Sequence, residues 1–137
     1  MNIGILGAGQ LAQMLALAGY PLGLRCTFLA PEEMPCAAPL GEHLRGGYED
    51  AAALASFAER IDVATAEFEH IAPVALDALE QRGLLAPCSQ AILLSQERLQ
   101  EKSLFTRLGL PTARYAAIDS EADLAAALAQ TGTPAIL

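Results

Sequence analysis

Residues 2–19, NIGILGAGQLAQMLALAG, decide how the rest of the chain is read. Ile3, Ile5 and Leu6 form an apolar run too short, and too soon broken by glycine, for anything but a buried strand. Gly7-Ala8-Gly9 follows at once. Residues 10–18 then read as an amphipathic helix with Leu11, Leu15 and Ala18 on one face. A strand turning directly into a helix leaves backbone N–H groups unpaired at the helix start. With the positive end of the helix dipole, those donors attract an anion, and glycines let it approach the backbone closely. The stretch is therefore expected to be a phosphate cradle.

Gly7-x-Gly9-x-x-Ala12 fits the G-x-G-x-x-G/A pattern of dinucleotide-binding folds. A nicotinamide or flavin cofactor also needs an acid closing the second strand, to hold the ribose hydroxyls. That strand is LRCTFL, residues 24–29, and Ala30-Pro31 stands where the acid belongs, with Glu32 and Glu33 coming late. The dinucleotide reading is disfavoured on that ground. A turn that merely joins strand to helix stays open as an alternative.

Composition narrows the classes. The chain has 137 residues, enough for one domain or one domain and part of another, and 53% of them are hydrophobic, ample for a core. A formal net charge of −8 lacks the basic face that nucleic-acid binding needs. The acids are dispersed and read as a solvated surface. No apolar run is long enough to span a bilayer and no basic-then-apolar leader opens the chain, so a cytoplasmic location away from membranes is expected. Cys26, Cys36 and Cys88 form no CxxC pair and read as reduced thiols.

Strand and helix alternate along the chain. After the second strand comes a proline-rich loop, residues 31–39, then a short strand over 42–45 closed by Gly46-Gly47. Residues 49–60 read as a helix with Asp50 as its cap and Leu54, Phe57 and Ala58 facing inward. Residues 61–66 are a fourth strand. Pro73 opens a helix that Gly83 ends, and residues 84–86 supply a fifth strand before Pro87. The expectation is an α/β fold, a five-stranded parallel sheet between helices over about residues 1–87. Residues 89–94 and 95–108 read as two further helical pieces, 112–118 as extended, and 120–130 as a helix opened by Ser120. Residues 135–137 look like the start of another strand, so the chain is expected to be part of a longer protein.

In open parallel sheets, ligands lie beyond the carboxyl ends of the strands. Glu67, Phe68, Glu69 and His70 follow directly on the fourth strand and should share a rim with the glycine turn. Carboxylates there suit sugar hydroxyls or a ligand amine rather than the phosphate itself. The alternative is a pair of surface acids favoured by a helix start. His70 has no partner for a metal, since the only other histidine is His43, and it reads as a hydrogen-bonded structural residue.

Four stretches, in order, resemble the amino-terminal part of the 5-(carboxyamino)imidazole ribonucleotide synthetases, ATP-grasp ligases of bacterial purine synthesis. GAGQLAQML, residues 7–15, resembles that family's G-x-G-Q-L-x-R-M-L, and TAEFEHI, residues 65–71, its T-x-E-x-E-x-[IV]. QERLQEKSLFTRLGLPT, residues 96–112, is similar to its D-R-x-x-[QE]-K segment running to I/L-P-T, and TPAIL, residues 133–137, to the strand before the first ATP-binding lysine. The resemblance covers essentially the whole chain, and Gln10-Leu11 is its most specific element. Ala12 stands where glycine is commoner, Gln13 where the family has Arg, and Glu97 where it has Asp.

The resemblance implies a Rossmann-like pre-ATP-grasp domain over residues 1–94, then a linker helix and the start of an ATP-grasp domain over 95–137. It implies an enzyme using ATP, Mg2+ and bicarbonate to carboxylate 5-aminoimidazole ribonucleotide, with bicarbonate activated as carboxyphosphate. Gly9, Gln10 and Leu11 would then hold the ribose 5-phosphate. Glu67 would take ribose hydroxyls or the aminoimidazole side, with Glu69 supporting it. Arg98 and Lys102 would reach the ATP phosphates, although an i, i+3 surface pair with Glu101 is the plain alternative for Arg98. No catalytic or metal-binding residue is expected within these 137 residues, so the chain alone is expected to be inactive. A homodimer and a functional link to the mutase that consumes the product also follow. Formate-dependent glycinamide ribonucleotide transformylase and biotin carboxylase share the glycine turn; Gln10, where the former usually carries Glu, favours the carboxylating enzyme.

Overall fold

The computed structural model describes residues 1–137, which divide into two compact units, Met1–Gln96 and Glu97–Leu137. The first is a parallel sheet with helices on both faces. Its strands are β1 (Asn2–Leu6), β2 (Arg25–Ala30), β3 (Glu42–Arg45) and β4 (Val63–Ala66), in the order β3-β2-β1-β4. Asn2 to Leu6 pair with Arg25 to Leu29 on one side, and Ile3 to Leu6 with Val63 to Ala66 on the other. β1 is thus a central strand, which accounts for its apolar run.

The sheet has four strands, not the expected five. Leu85 makes a single parallel bridge to Ala64, through Ala64 N–H to Leu84 O (2.7 Å) and Ala86 N–H to Ala64 O (2.8 Å). Gly83, with φ +68°, ends the preceding helix and Pro87 brings no N–H, so too few residues remain between them for a ladder.

Side chains alternate across the pleat, and adjacent residues feed two different cores. Leu6 and Leu29 point to one face, where α2 (Ala51–Ala58), α3 (Pro73–Gln81) and α4 (Ser89–Gln96) bring Phe57, Leu76 and Ile92. Ile5 and Phe28 point to the other, covered by α1 (Gln10–Gly19). Phe28, Phe57, Leu6, Leu29 and Leu76 are fully buried, each stabilising the fold by about 1.5–3 kcal/mol. Asp50 caps α2 as expected, its Oδ1 accepting from Ala52 N–H (2.9 Å) and Ala53 N–H (3.1 Å).

α1 turns the opposite way from what its large residues suggest. It packs through Ala12, Ala16 and Gly19, while Leu11 is 56% exposed and Leu15 46%. The small face wins because Ile5 and Phe28 already fill the space above the sheet.

The second unit holds α5 (Arg98–Arg107), an extended run, a 3-10 turn (Glu121–Asp123) and α6 (Leu124–Thr131). The Asp123 carboxylate accepts from the N–H (2.9 Å) and hydroxyl (2.8 Å) of Ser120, the expected helix opening. Residues 135–137 form no strand, and Ile136 and Leu137 are fully exposed. A strand exists only by pairing, and within this unit no neighbour offers a ladder.

Candidate functional site

β1 lies between β2 and β4, so the chain leaves β1 toward one side of the sheet and returns through β4 on the other. The connections after these two strands part over opposite faces and leave a crevice at their carboxyl ends. The glycine turn follows β1 there, and Glu67 follows β4.

The two are bonded to each other. Glu67 N–H donates to Leu6 O (3.1 Å), carrying the ladder one residue past β4. Its carboxylate then bridges the start of α1: Oε1 accepts from Gly9 N–H (3.0 Å) and Oε2 from Ala12 N–H (2.5 Å). The anion at this helix start is the chain's own side chain, a relation hidden by 58 residues of separation between Gly9 and Glu67. The N–H groups of Gln10 and Leu11 keep no acceptor within the chain, and both residues are exposed. Gln13, lacking the charge of arginine, donates from Nε2 to Cys36 O (3.2 Å) and ties the proline-rich loop to α1.

Gly7 is the glycine that the turn requires. Its φ is +112°, and a Cβ there would meet Oε1 of Glu67 at 2.6 Å. Gly9 has φ −79°, open to any residue, and a Cβ on it would lie 3.0 Å from the same oxygen. Glycine at position 9 therefore gives room to Glu67, whereas at position 7 it also supplies the backbone conformation.

No sequence motif marks Tyr48. It stacks edge-on against Phe68 with ring centroids 6.0 Å apart. Burial, and then the carboxylates of Glu32 and Glu67, push its phenol up to about 12. Tyr48 thus stays a neutral hydrogen-bond donor beside the acidic rim.

Glu69 leaves this group. Its carboxylate faces His70 at 3.6 Å on the exposed side of the loop. In the second unit Arg98 pairs with Glu101 one turn on, the plain alternative for that residue. Lys102 donates to Thr112 Oγ1 (2.9 Å) and its Nζ lies 5.9 Å from the Tyr115 ring centre. No three His, Cys, Asp or Glu side chains gather as metal ligands.

The ribonucleotide synthetase preATP-grasp domain family matches residues 1–96. The N5-carboxyaminoimidazole ribonucleotide synthase of Pseudomonas aeruginosa is 44% identical over 137 residues, covering 100% of this chain and 38% of that protein. The chain thus spans well under half the length of this relative. The crystal structure of N5-carboxyaminoimidazole ribonucleotide synthetase from Thermus thermophilus superposes with a TM-score of 0.84 at 45% identity, over 96% of this chain and 37% of that one. The Aspergillus clavatus synthase in complex with ADP and 5-aminoimidazole ribonucleotide superposes with a TM-score of 0.78 at 29% identity, over 97% and 36%. By its sheet, its glycine turn and this match, the chain belongs to the ribonucleotide synthetase preATP-grasp domain family.

Proposed function

We propose that this chain is the amino-terminal, substrate-binding part of an ATP-grasp ligase that carboxylates 5-aminoimidazole ribonucleotide in purine synthesis. One observation carries the reading: similarity along nearly all of this chain to part of the synthases of that name, one of them solved with ADP and this ribonucleotide bound. Residues 1–94 form the substrate domain, and 95–137 open the ATP-grasp domain. Bicarbonate is the co-substrate and MgATP the energy source. Arg98 and Lys102 are the cations of this chain suited to ATP phosphates, and Mg2+ is held by residues outside it. A cytoplasmic setting accompanies this reading; no helix is long and apolar enough to cross a membrane.

The geometry supports one account of how the ribonucleotide would be held. Glu67 uses one lone pair of each oxygen on the amides of Gly9 and Ala12. A carboxylate accepts about four hydrogen bonds, so about two remain for ribose hydroxyls or the exocyclic amine. The 5-phosphate is left the unpaired N–H groups of Gln10 and Leu11, at the positive end of α1. Glu69, whose carboxylate faces His70, supports Glu67 only through the backbone of the same loop. A dinucleotide cofactor is disfavoured because Ala30-Pro31 gives its ribose no acid.

Homodimerisation belongs to the same proposal, together with delivery of the product to a mutase. α1 carries no charged residue, so two copies with net charge −8 can meet there without close repulsion, burying Met14 (65% exposed) and Leu17 (54%). Met14→Glu should then yield a monomer in sedimentation.

Calorimetric titration of the chain with 5-aminoimidazole ribonucleotide, beside NADH, tests the function. The ribonucleotide should bind and NADH should not, and amide resonances of Gln10 and Leu11 should shift most. Binding of NADH alone would refute the reading.

A further inference from the structure

The loop carrying both acidic candidates, residues 67–71, is gripped by a side chain from a distant part of the first unit. Gln96, the last residue of α4, donates from Nε2 to Glu69 O (2.8 Å) and to Ile71 O (2.9 Å). Both hydrogens of its amide group are thereby engaged by the backbone of one loop. Ile71 N–H also donates to Glu69 O (2.8 Å), closing a three-residue turn, and the Ile71 side chain is 1% exposed. The loop is therefore pinned at its far end by Gln96 and the core, and at its near end by the bond from Glu67 N–H to Leu6 O.

Glu67 issues from this doubly pinned segment. The reach of its carboxylate to Gly9 and Ala12 leaves little slack, since the contacts are 3.0 and 2.5 Å. A loop free at Ile71 would let the Glu67 backbone swing outward, and both contacts would lengthen. The carboxamide suits the task because it presents two fixed donors to two carbonyls.

We propose that Gln96 is a positioning residue for Glu67: by holding the carbonyls of Glu69 and Ile71 it sets the Glu67 carboxylate on the amides of Gly9 and Ala12. Gln96 itself bonds only that loop. For its effect on ligand binding the inference rests on the proposed function, and for its effect on Glu67 it stands alone.

The test compares amide hydrogen exchange in the whole chain for wild type, Gln96→Met, Gln96→Asn and Gln96→Lys. Methionine keeps the length without donors, asparagine falls one methylene short, and the lysine ammonium can donate to both carbonyls. Losing a hydrogen bond of ordinary strength raises local opening about fivefold. Exchange at Ile71, Gly9 and Ala12 should accelerate by about that factor in Gln96→Met and Gln96→Asn. It should return toward wild type in Gln96→Lys. Ala52 and Ala53, held by the separate Asp50 cap, should not change. If Gln96→Met does not fold, the asparagine and lysine variants decide the comparison. Unchanged exchange at Gly9 and Ala12, or equal acceleration at Ala52 and Ala53, would overturn the proposal, since Gln96 would then only anchor α4 or the fold at large.

A second arm titrates 5-aminoimidazole ribonucleotide into the same proteins. Affinity should fall about fivefold in Gln96→Met and recover in Gln96→Lys. Wild-type affinity in Gln96→Met would overturn the positioning role and leave the proposed function standing. Failure of the wild-type chain to bind the ribonucleotide would count against the proposed function, and the exchange comparison would still decide the role of Gln96.

Discussion

Replacing Glu67 with alanine removes the anion from the start of α1 and leaves the Gly9 and Ala12 amides without their acceptors. Loss of a side-chain cap costs about 0.5–2 kcal/mol, and loss of a negative charge at a helix start about 0.3–1 kcal/mol more. The crevice is half-buried, so water replaces only part of the lost bonding, and a total near ~2 kcal/mol is expected. For a domain of roughly this size each kcal/mol lowers Tm by about 4–8 °C, giving a drop of about 8–16 °C by scanning calorimetry. Glu67→Gln, which keeps one acceptor oxygen but no charge, should fall about halfway. The emptied helix start should then accept an external anion. Inorganic phosphate should raise the Tm of Glu67→Ala by mass action, and much less that of wild type, whose carboxylate already holds two of the amides. A Glu67→Ala protein melting within about 1 °C of wild type would refute the reasoning. So would equal stabilisation of both proteins by phosphate.

Gly7→Ala should cost more than Gly9→Ala, about 1–3 kcal/mol from backbone strain alone, because Gly7 has φ +112° and its Cβ would run into Glu67; chemical denaturation reads the difference. Asp50→Ala should cost about 1 kcal/mol in the same assay by freeing the Ala52 and Ala53 amides of α2. Ultraviolet titration should place the Tyr48 phenol near 12, identified by its loss in Tyr48→Phe. Its pKa is raised in the fold, so its contribution to stability is intact below the ordinary tyrosine value of about 10 and fades as pH rises through 12. Tyr48→Phe should therefore flatten the loss of stability over that interval. The carboxyls of Glu80 and Asp123, held low by hydrogen bonds from Ser89 and Ser120, act at the opposite end: their contributions are present above the ordinary carboxylate range and are lost as pH falls through their lowered values.

The sequence by itself determined the alternation of strand and helix, the glycine turn after β1, the Asp50 cap, and the arrival of Glu67 at the carboxyl end of β4. These are local matters, written in periods of two and 3.6 residues and in turn and cap chemistry that acts over a few positions. The ordered motifs also carried the family, which the match over residues 1–96 bears out.

What the sequence left open depends on neighbours far along the chain. The fifth strand failed because pairing needs length that residues 84–86 lack between Gly83 and Pro87. The outward turn of Leu11 and Leu15 follows from the room that Ile5 and Phe28 leave above the sheet, which no helical period can report. Only the tertiary structure decided that Glu67 fills part of the anion site it was expected to flank, that Gly7 rather than Gly9 holds the positive φ, and that Gln96 grips the loop that follows Glu67. A hydrogen bond is settled by distance and direction over a few ångströms, and Gly9, Glu67 and Gln96 come within that range only after the sheet has closed.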